Sequence, residues 1–257
     1  MSAPRLRLVA VLASSLLVGG CDDKPAPGAG AAARASASAA PTVSAPPAAP
    51  AAPATPSKPQ LAIDDTGAAV GGDRVEFSSP DPKAALGLAL SGKPVAGEEL
   101  VLDAARNTRM QKVATLFAAL SSAKVKTVRV RTARRDGTQA ELPVTVGGKL
   151  EGCAGVGMIG KDLAIRAWSA GGGVGARFSK GMAGPDNTLG SQGIRKVLDK
   201  CEASAWGITA DDSVTWGLVV DLALAVLNGE DAGPPKAKDL VLLPTSTVAG
   251  RKVEATF

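Results

Sequence analysis

The sequence predicts an α+β protein built from two tandem small domains, each a small sheet with two helices. Three observations carry that expectation. A compact strand, amphipathic helix and strand unit runs from Leu100 to Thr132. A degenerate second copy runs from Trp206 to Thr245, and each copy is preceded by material patterned as further short strands and a short helix. The boundaries that follow are a leader at 1–20, a tether at 21–60, and domains at 61–150 and 151–257.

In the first unit, LAIDDTGAAV places short apolar flanks around Asp64, Asp65, Thr66 and Gly67, which is a hairpin signal. Arg74 to Phe77 alternates as one more short strand. Asp81 before Pro82 starts a short helix that Gly92 can end. Leu100 to Leu102 is the next strand. Thr108 and Gln111 have the spacing of a capping box, and Met110, Val113, Phe117 and Leu120 make one apolar helical face. Val128 and Val130 alternate with Arg129 and Arg131, as in a half-buried strand, and Asp136-Gly137 turns the chain back toward Leu142, Val144 and Val146.

The second unit repeats the order with different residues. Val156 to Ile159 and Leu163 to Trp168 read as strands around a Lys161-Asp162 turn, followed by Val174 to Phe178. Ile194, Val197, Leu198 and Cys201 have helical spacing, which places Cys201 on a buried helix face. Trp206 to Ala210 is a strand, and Asp211-Asp212-Ser213 reads as a helix cap. Trp216, Val219, Ala223 and Val226 then match Met110, Val113, Phe117 and Leu120 at a constant spacing, as Ile208 matches Leu102. Leu240 to Leu243 stands where Val128 to Arg131 stood, but it is apolar on both faces. That predicts cover on both sides, from the other copy or from a second protomer. The tail from Val248 to Phe257 is expected to add an edge strand.

The N-terminus indicates location. Arg5 and Arg7 precede an apolar run from Leu8 to Val18, too short to span a bilayer, and Gly19-Gly20 then leads to Cys21. Val18-Gly19-Gly20-Cys21 resembles a bacterial lipobox, which implies cleavage before Cys21 and lipidation of its thiol; an ordinary signal peptide that happens to contain a cysteine is the competing reading. Two acyl chains on one thiol give durable attachment. The chain is therefore expected to be membrane-anchored, in a bacterial cell envelope and facing the periplasm. Asp22 and Asp23 resemble an inner-membrane retention signal. From Asp22 to about Gln60 the composition is almost all Ala, Pro, Ser and Gly, which reads as a disordered tether. The net charge is +5 and falls by two, to about +3, when Arg5 and Arg7 leave with the signal; so mild a balance points to no nucleic-acid partner. Cys153 and Cys201 remain as an even pair, and an oxidising compartment favours a disulfide over two small buried thiols.

With both copies laid out, LAIDDTGAAVGGDRV, GEELVLDAARNTRMQKVATLFAAL and KVKTVRVRT resemble the periplasmic domain of the ExbD/TolR family. ITADDSVTWGLVVDLALAVL and KDLVLL carry the likeness more faintly into the second copy. The resemblance implies a small sheet with helices packed on one face, once per copy. It also implies a role accessory to a proton-motive-force-driven biopolymer transport system, through dimerisation, partner contact or peptidoglycan binding. Family members couple protons through an aspartate in a single transmembrane helix. This chain has a cleaved signal and a lipid site instead, so the proton step does not carry over. The alternative is a peptidoglycan- or glycan-binding envelope lipoprotein unrelated to energy coupling.

No local pattern calls for an enzyme. The chain holds no His and no Tyr, which removes the commonest general base. GVGMIGKD from Gly155 to Asp162 has the glycine and lysine spacing of a phosphate-binding loop, yet Asp162 stands where a hydroxyl is needed. The glycines from Gly171 to Gly175 lack a dinucleotide fingerprint. Asp211, Asp212 and Ser213 suit a helix start better than a cation. Catalytic residues, metal and cofactor are therefore expected to be absent. One charged cluster stands out: Lys124, Lys126, Arg129, Arg131, Arg134 and Arg135. It is either a solvated face or an anion-binding surface for peptidoglycan carboxylates, lipid headgroups or an acidic partner.

Overall fold

The computed structural model describes residues 58–229, 237–254 and 256–257; the leader, Cys21 and most of the tether lie outside them. The elements in chain order are β1 (Leu61–Ile63), β2 (Gly67–Val70), β3 (Asp73–Glu76), α1 (Pro82–Leu90), β4 (Glu99–Ala104), α2 (Met110–Ser122), β5 (Thr127–Ala133), β6 (Gln139–Thr145), β7 (Gly155–Ile159), β8 (Ile165–Ser169), β9 (Ala176–Phe178), α3 (Asn187–Leu198), β10 (Ala205–Ala210), α4 (Trp216–Asn228) and β11 (Asp239–Leu242). No described helix is long and apolar enough to cross a membrane.

Among the described residues the strands form one mixed α/β sheet of eleven strands, in the order β3-β2-β1-β4-β5-β6-β11-β10-β7-β8-β9. One continuous sheet is not plainly the two tandem small domains expected. The join is a parallel pairing of β6 with β11, with Leu240 opposite Val144 and Val241 opposite Thr145. The element order does recur, because a β-hairpin, a helix, a strand, a helix and a parallel strand occur once on each side of that join.

The two-faced apolarity of β11 is what the join requires. Leu240, Val241, Leu242 and Leu243 are all buried. Leu240 and Leu242 belong to the main core with Val113, Phe117, Trp216 and Val219. Val241 and Leu243 instead join a second cluster with Val156 and Trp168, covered by Leu150, Ala249 and Val253. The cover on that side is the chain's own C-terminal segment, so the double burial needs no second protomer. That segment forms no strand among the described residues. It is held by Trp168 Nε1 donating to Arg251 O at 3.0 Å and by Val253 N donating to Ala170 O at 2.8 Å. The first half has no such cover: β5 and β6 alternate between buried and exposed along their whole length.

Helix starts follow two different rules. Asp81 accepts from Ala84 N at 2.9 Å and Asp186 from Leu189 N at 3.0 Å, which are ordinary side-chain N-caps for α1 and α3. The helices α2 and α4 have no side-chain cap. The capping box expected of Thr108 and Gln111 is not formed, and the Thr108 hydroxyl is buried without a partner among the described residues. Asp211 likewise turns inward on Ser213 through its amide and hydroxyl, ahead of the helix start. Each helix instead takes its cap from the loop before the other. Met110 N donates to Val214 O at 2.8 Å and Trp216 N to Thr108 O at 2.7 Å. Gln111 N donates to Asp212 O at 3.4 Å and Gly217 N to Arg106 O at 2.9 Å. A bridge pairs Arg109 with Thr215 between them. At the spacing that aligns Met110 with Trp216, every one of these bonds has its counterpart when the halves are exchanged. The first-turn amides that a helix leaves orphaned are thus satisfied reciprocally by backbone.

Candidate functional site

Three of the six basic residues of the first half, Arg129, Arg131 and Arg135, are paired with carboxylates. Arg129 lies between two carboxylates, with Glu141 at 2.9 Å and Glu99 closer still, and Arg131 reaches Glu141 at 3.5 Å. The register explains this: β5 places Arg129 beside Val101 on one strand and Pro143 on the other, so carboxylates from β4 and β6 flank it. The open face of the first half is therefore a ladder of exposed ion pairs, each a small contribution in water. Arg135 turns elsewhere and meets Asp221 at 2.9 Å. Lys124, Lys126 and Arg134 are exposed and form no ion pair among the described residues.

Two of the turn carboxylates, Asp64 and Asp211, are committed to local structure. The Thr66 hydroxyl holds the Asp64 carboxyl far below the usual range against the opposing cost of burial, with the Thr66 and Gly67 amides and the Arg74 guanidinium adding to the lowering. The Ser213 hydroxyl and amide hold Asp211 low in the same way. Groups held ionised by their own turns are poor proton shuttles near neutral pH. The glycines of GVGMIGKD serve packing. A Cβ at Gly155 would come within 2.7 Å of Leu198, and one at Gly157 within 2.5 Å of Ile194, so α3 lies directly on β7.

Sequence reasoning missed two enclosed cations, one half-buried and one buried. Arg106, in the loop before α2, forks onto Asp221 of α4 at 3.0 and 2.7 Å and also donates to Ala133 O at 3.0 Å. Gly217 makes room for it, since a Cβ there would fall 2.8 Å from Arg106 Nε. Arg195 is buried on α3 and donates from Nε to Val226 O at 2.8 Å, near the C-terminus of α4, where a cation suits the helix dipole. The apolar stripe assigned to α3 is corrected accordingly. Arg195 is buried where Val197 is only half-buried, and Cys201 lies beyond the end of the helix.

Cys201 is buried and bonded to Cys153, which is exposed; their Cα atoms are 5.6 Å apart. Glu151 lies close enough to complete a three-ligand group with the two sulfurs, but sulfurs bonded to each other offer no thiolate. Beside the disulfide, a trough of about 780 Å³ runs between α3 and the β8–β9 hairpin. Its floor carries small side chains, Ala167, Ser169 and Ala176. Its other wall presents Gly193, Lys196 and Val197 from α3 and Lys200 from the turn after it. The sequence signal for it was the pair of small residues on adjacent strands facing a glycine on the helix.

No family model, curated protein or solved structure matches this chain. The geometry of the molecule is therefore the basis for a functional reading.

Proposed function

We propose that this chain is a non-enzymatic cell-envelope lipoprotein, anchored through Cys21 and acting as a binding or assembly module accessory to a biopolymer transport system of the ExbD/TolR type. The observation that carries the reading is the reciprocal capping of α2 and α4 through counterpart residues around Arg109 and Thr215. Two subunits related by a two-fold axis exchange contacts in this manner, residue i to j and j to i. The folded part has the character of a dimer of one hairpin, helix, strand, helix and strand unit, written in a single chain. The ExbD/TolR likeness implies a domain of that composition that works in pairs.

Lipid at Cys21 and some forty residues of Ala- and Pro-rich tether would let this body reach a partner away from the bilayer. In-cell crosslinking followed by purification from membranes tests the reading. The expected result is a discrete crosslinked species containing a channel subunit, diminished when Cys21→Ser removes the anchor. Wild-type chain that crosslinks to no envelope protein would overturn it. Glycan binding is the second reading, favoured by exposed Lys124, Lys126 and Arg134; sedimentation with isolated peptidoglycan, lost in a Lys124→Glu/Lys126→Glu chain, would select it instead.

A further inference from the structure

We infer that the trough between α3 and the β8–β9 hairpin is the docking site for an extended acidic segment of a partner protein. Its apolar side chain would lie over Ala167 and Ala176, and its carboxylates would meet Lys196 and Lys200. The inference deepens the binding-module reading and rests on it.

Three independent features point to that occupant. The first is shape. Ala167, Ser169 and Ala176 leave space beneath α3, while Gly193 brings the helix so near the outer strand that a Cβ there would fall 2.2 Å from the Phe178 ring. The second is unpartnered apolar surface at the rim. Val174 is fully exposed, at 106 %, in a loop whose Gly172 and Gly173 take φ of +91° and +122°. The third is charge. Lys196, on α3, and Lys200, in the turn just past its end, both line the trough, are exposed and form no ion pair among the described residues.

Lys196 on α3 and Lys200 in the turn just past it both line the trough, within reach of one extended chain. Alternate residues of an extended chain lie about 6.6 Å apart on one face. A segment with an apolar residue followed by acids at every second position would therefore place all three side chains toward the trough. An acyl chain fits less well, because the trough is open along one flank and would leave that hydrocarbon in water. An extended peptide turns its hydrated backbone to the open side.

Fluorescence anisotropy with the oxidised full chain tests this. The probe is a fluorescein-labelled dodecapeptide carrying leucine and alternate glutamates, against the same peptide with lysines in place of glutamates. Saturable binding of the glutamate peptide alone is expected, weakened about ten-fold or more in Lys196→Glu/Lys200→Glu. Ala176→Trp, which fills the floor, should weaken it while leaving the circular dichroism unchanged. Equal binding of both peptides, or an unchanged affinity in the double glutamate variant, would overturn the site. Membrane crosslinking separates the two levels. A partner still captured by the double glutamate variant refutes the trough and leaves the module reading standing. No partner with the wild-type chain refutes the module reading itself.

Discussion

Asp221→Ala is expected to destabilise the folded chain by about 2 kcal/mol, the range for losing charge-assisted hydrogen bonds to a half-buried guanidinium. The carboxylate sits on α4 and receives both arms of Arg106, at 3.0 and 2.7 Å, together with Arg135 Nε at 2.9 Å. The side chains of Arg106 and Asp221 are only 24 % and 13 % exposed. Removing the acid leaves a half-buried guanidinium that keeps the bond from its Nη1 to Ala133 O. Arg135, half exposed, should matter by less than about 1 kcal/mol when replaced by alanine. Urea unfolding of the two variants checks both figures. A midpoint for Asp221→Ala equal to wild type would mean that the bridge between the halves contributes nothing.

Cys153→Ser is expected to lower stability by about 4 kcal/mol under oxidising conditions, because the bond closes a loop across a sequence separation of 48 residues. The bridge ties the segment before β7 to the segment after α3, so its loss releases both from the second cluster around Val241 and Trp168. A dithiol reductant should shift the unfolding midpoint of the wild-type chain and leave that of Cys153→Ser unchanged. Equal sensitivity of the two would refute the assignment of the effect to the disulfide.

Patterns within one element were readable from sequence. The face of Met110, Val113, Phe117 and Leu120 is wholly buried, Asp81 caps α1, and the Asp64 to Gly67 turn joins β1 to β2. What could not be read were relations between elements far apart in the chain. Thr108 and Gln111 satisfy the local rule for a capping box, but backbone carbonyls from Asp212 and Val214 occupy the donors first. Arg129 and Arg131 look like free cations along β5, and only the strand register shows that Glu99 and Glu141 flank them. Apolar residues on both faces of Leu240 to Leu243 signalled double cover, yet cannot say which segment provides it. The trough was legible only as small residues, whose meaning depends on what faces them.

The central claim is that the two halves form one body, closed by the β6–β11 pairing and the reciprocal caps. All three tryptophans, Trp168, Trp206 and Trp216, lie in the second half, whereas helix content is divided between both. Equilibrium unfolding of the oxidised chain, followed at once by tryptophan fluorescence and far-ultraviolet circular dichroism, therefore reports the second half and the whole separately. Coincident single transitions are predicted. A circular dichroism transition with no fluorescence counterpart would contradict the account and restore two independent domains.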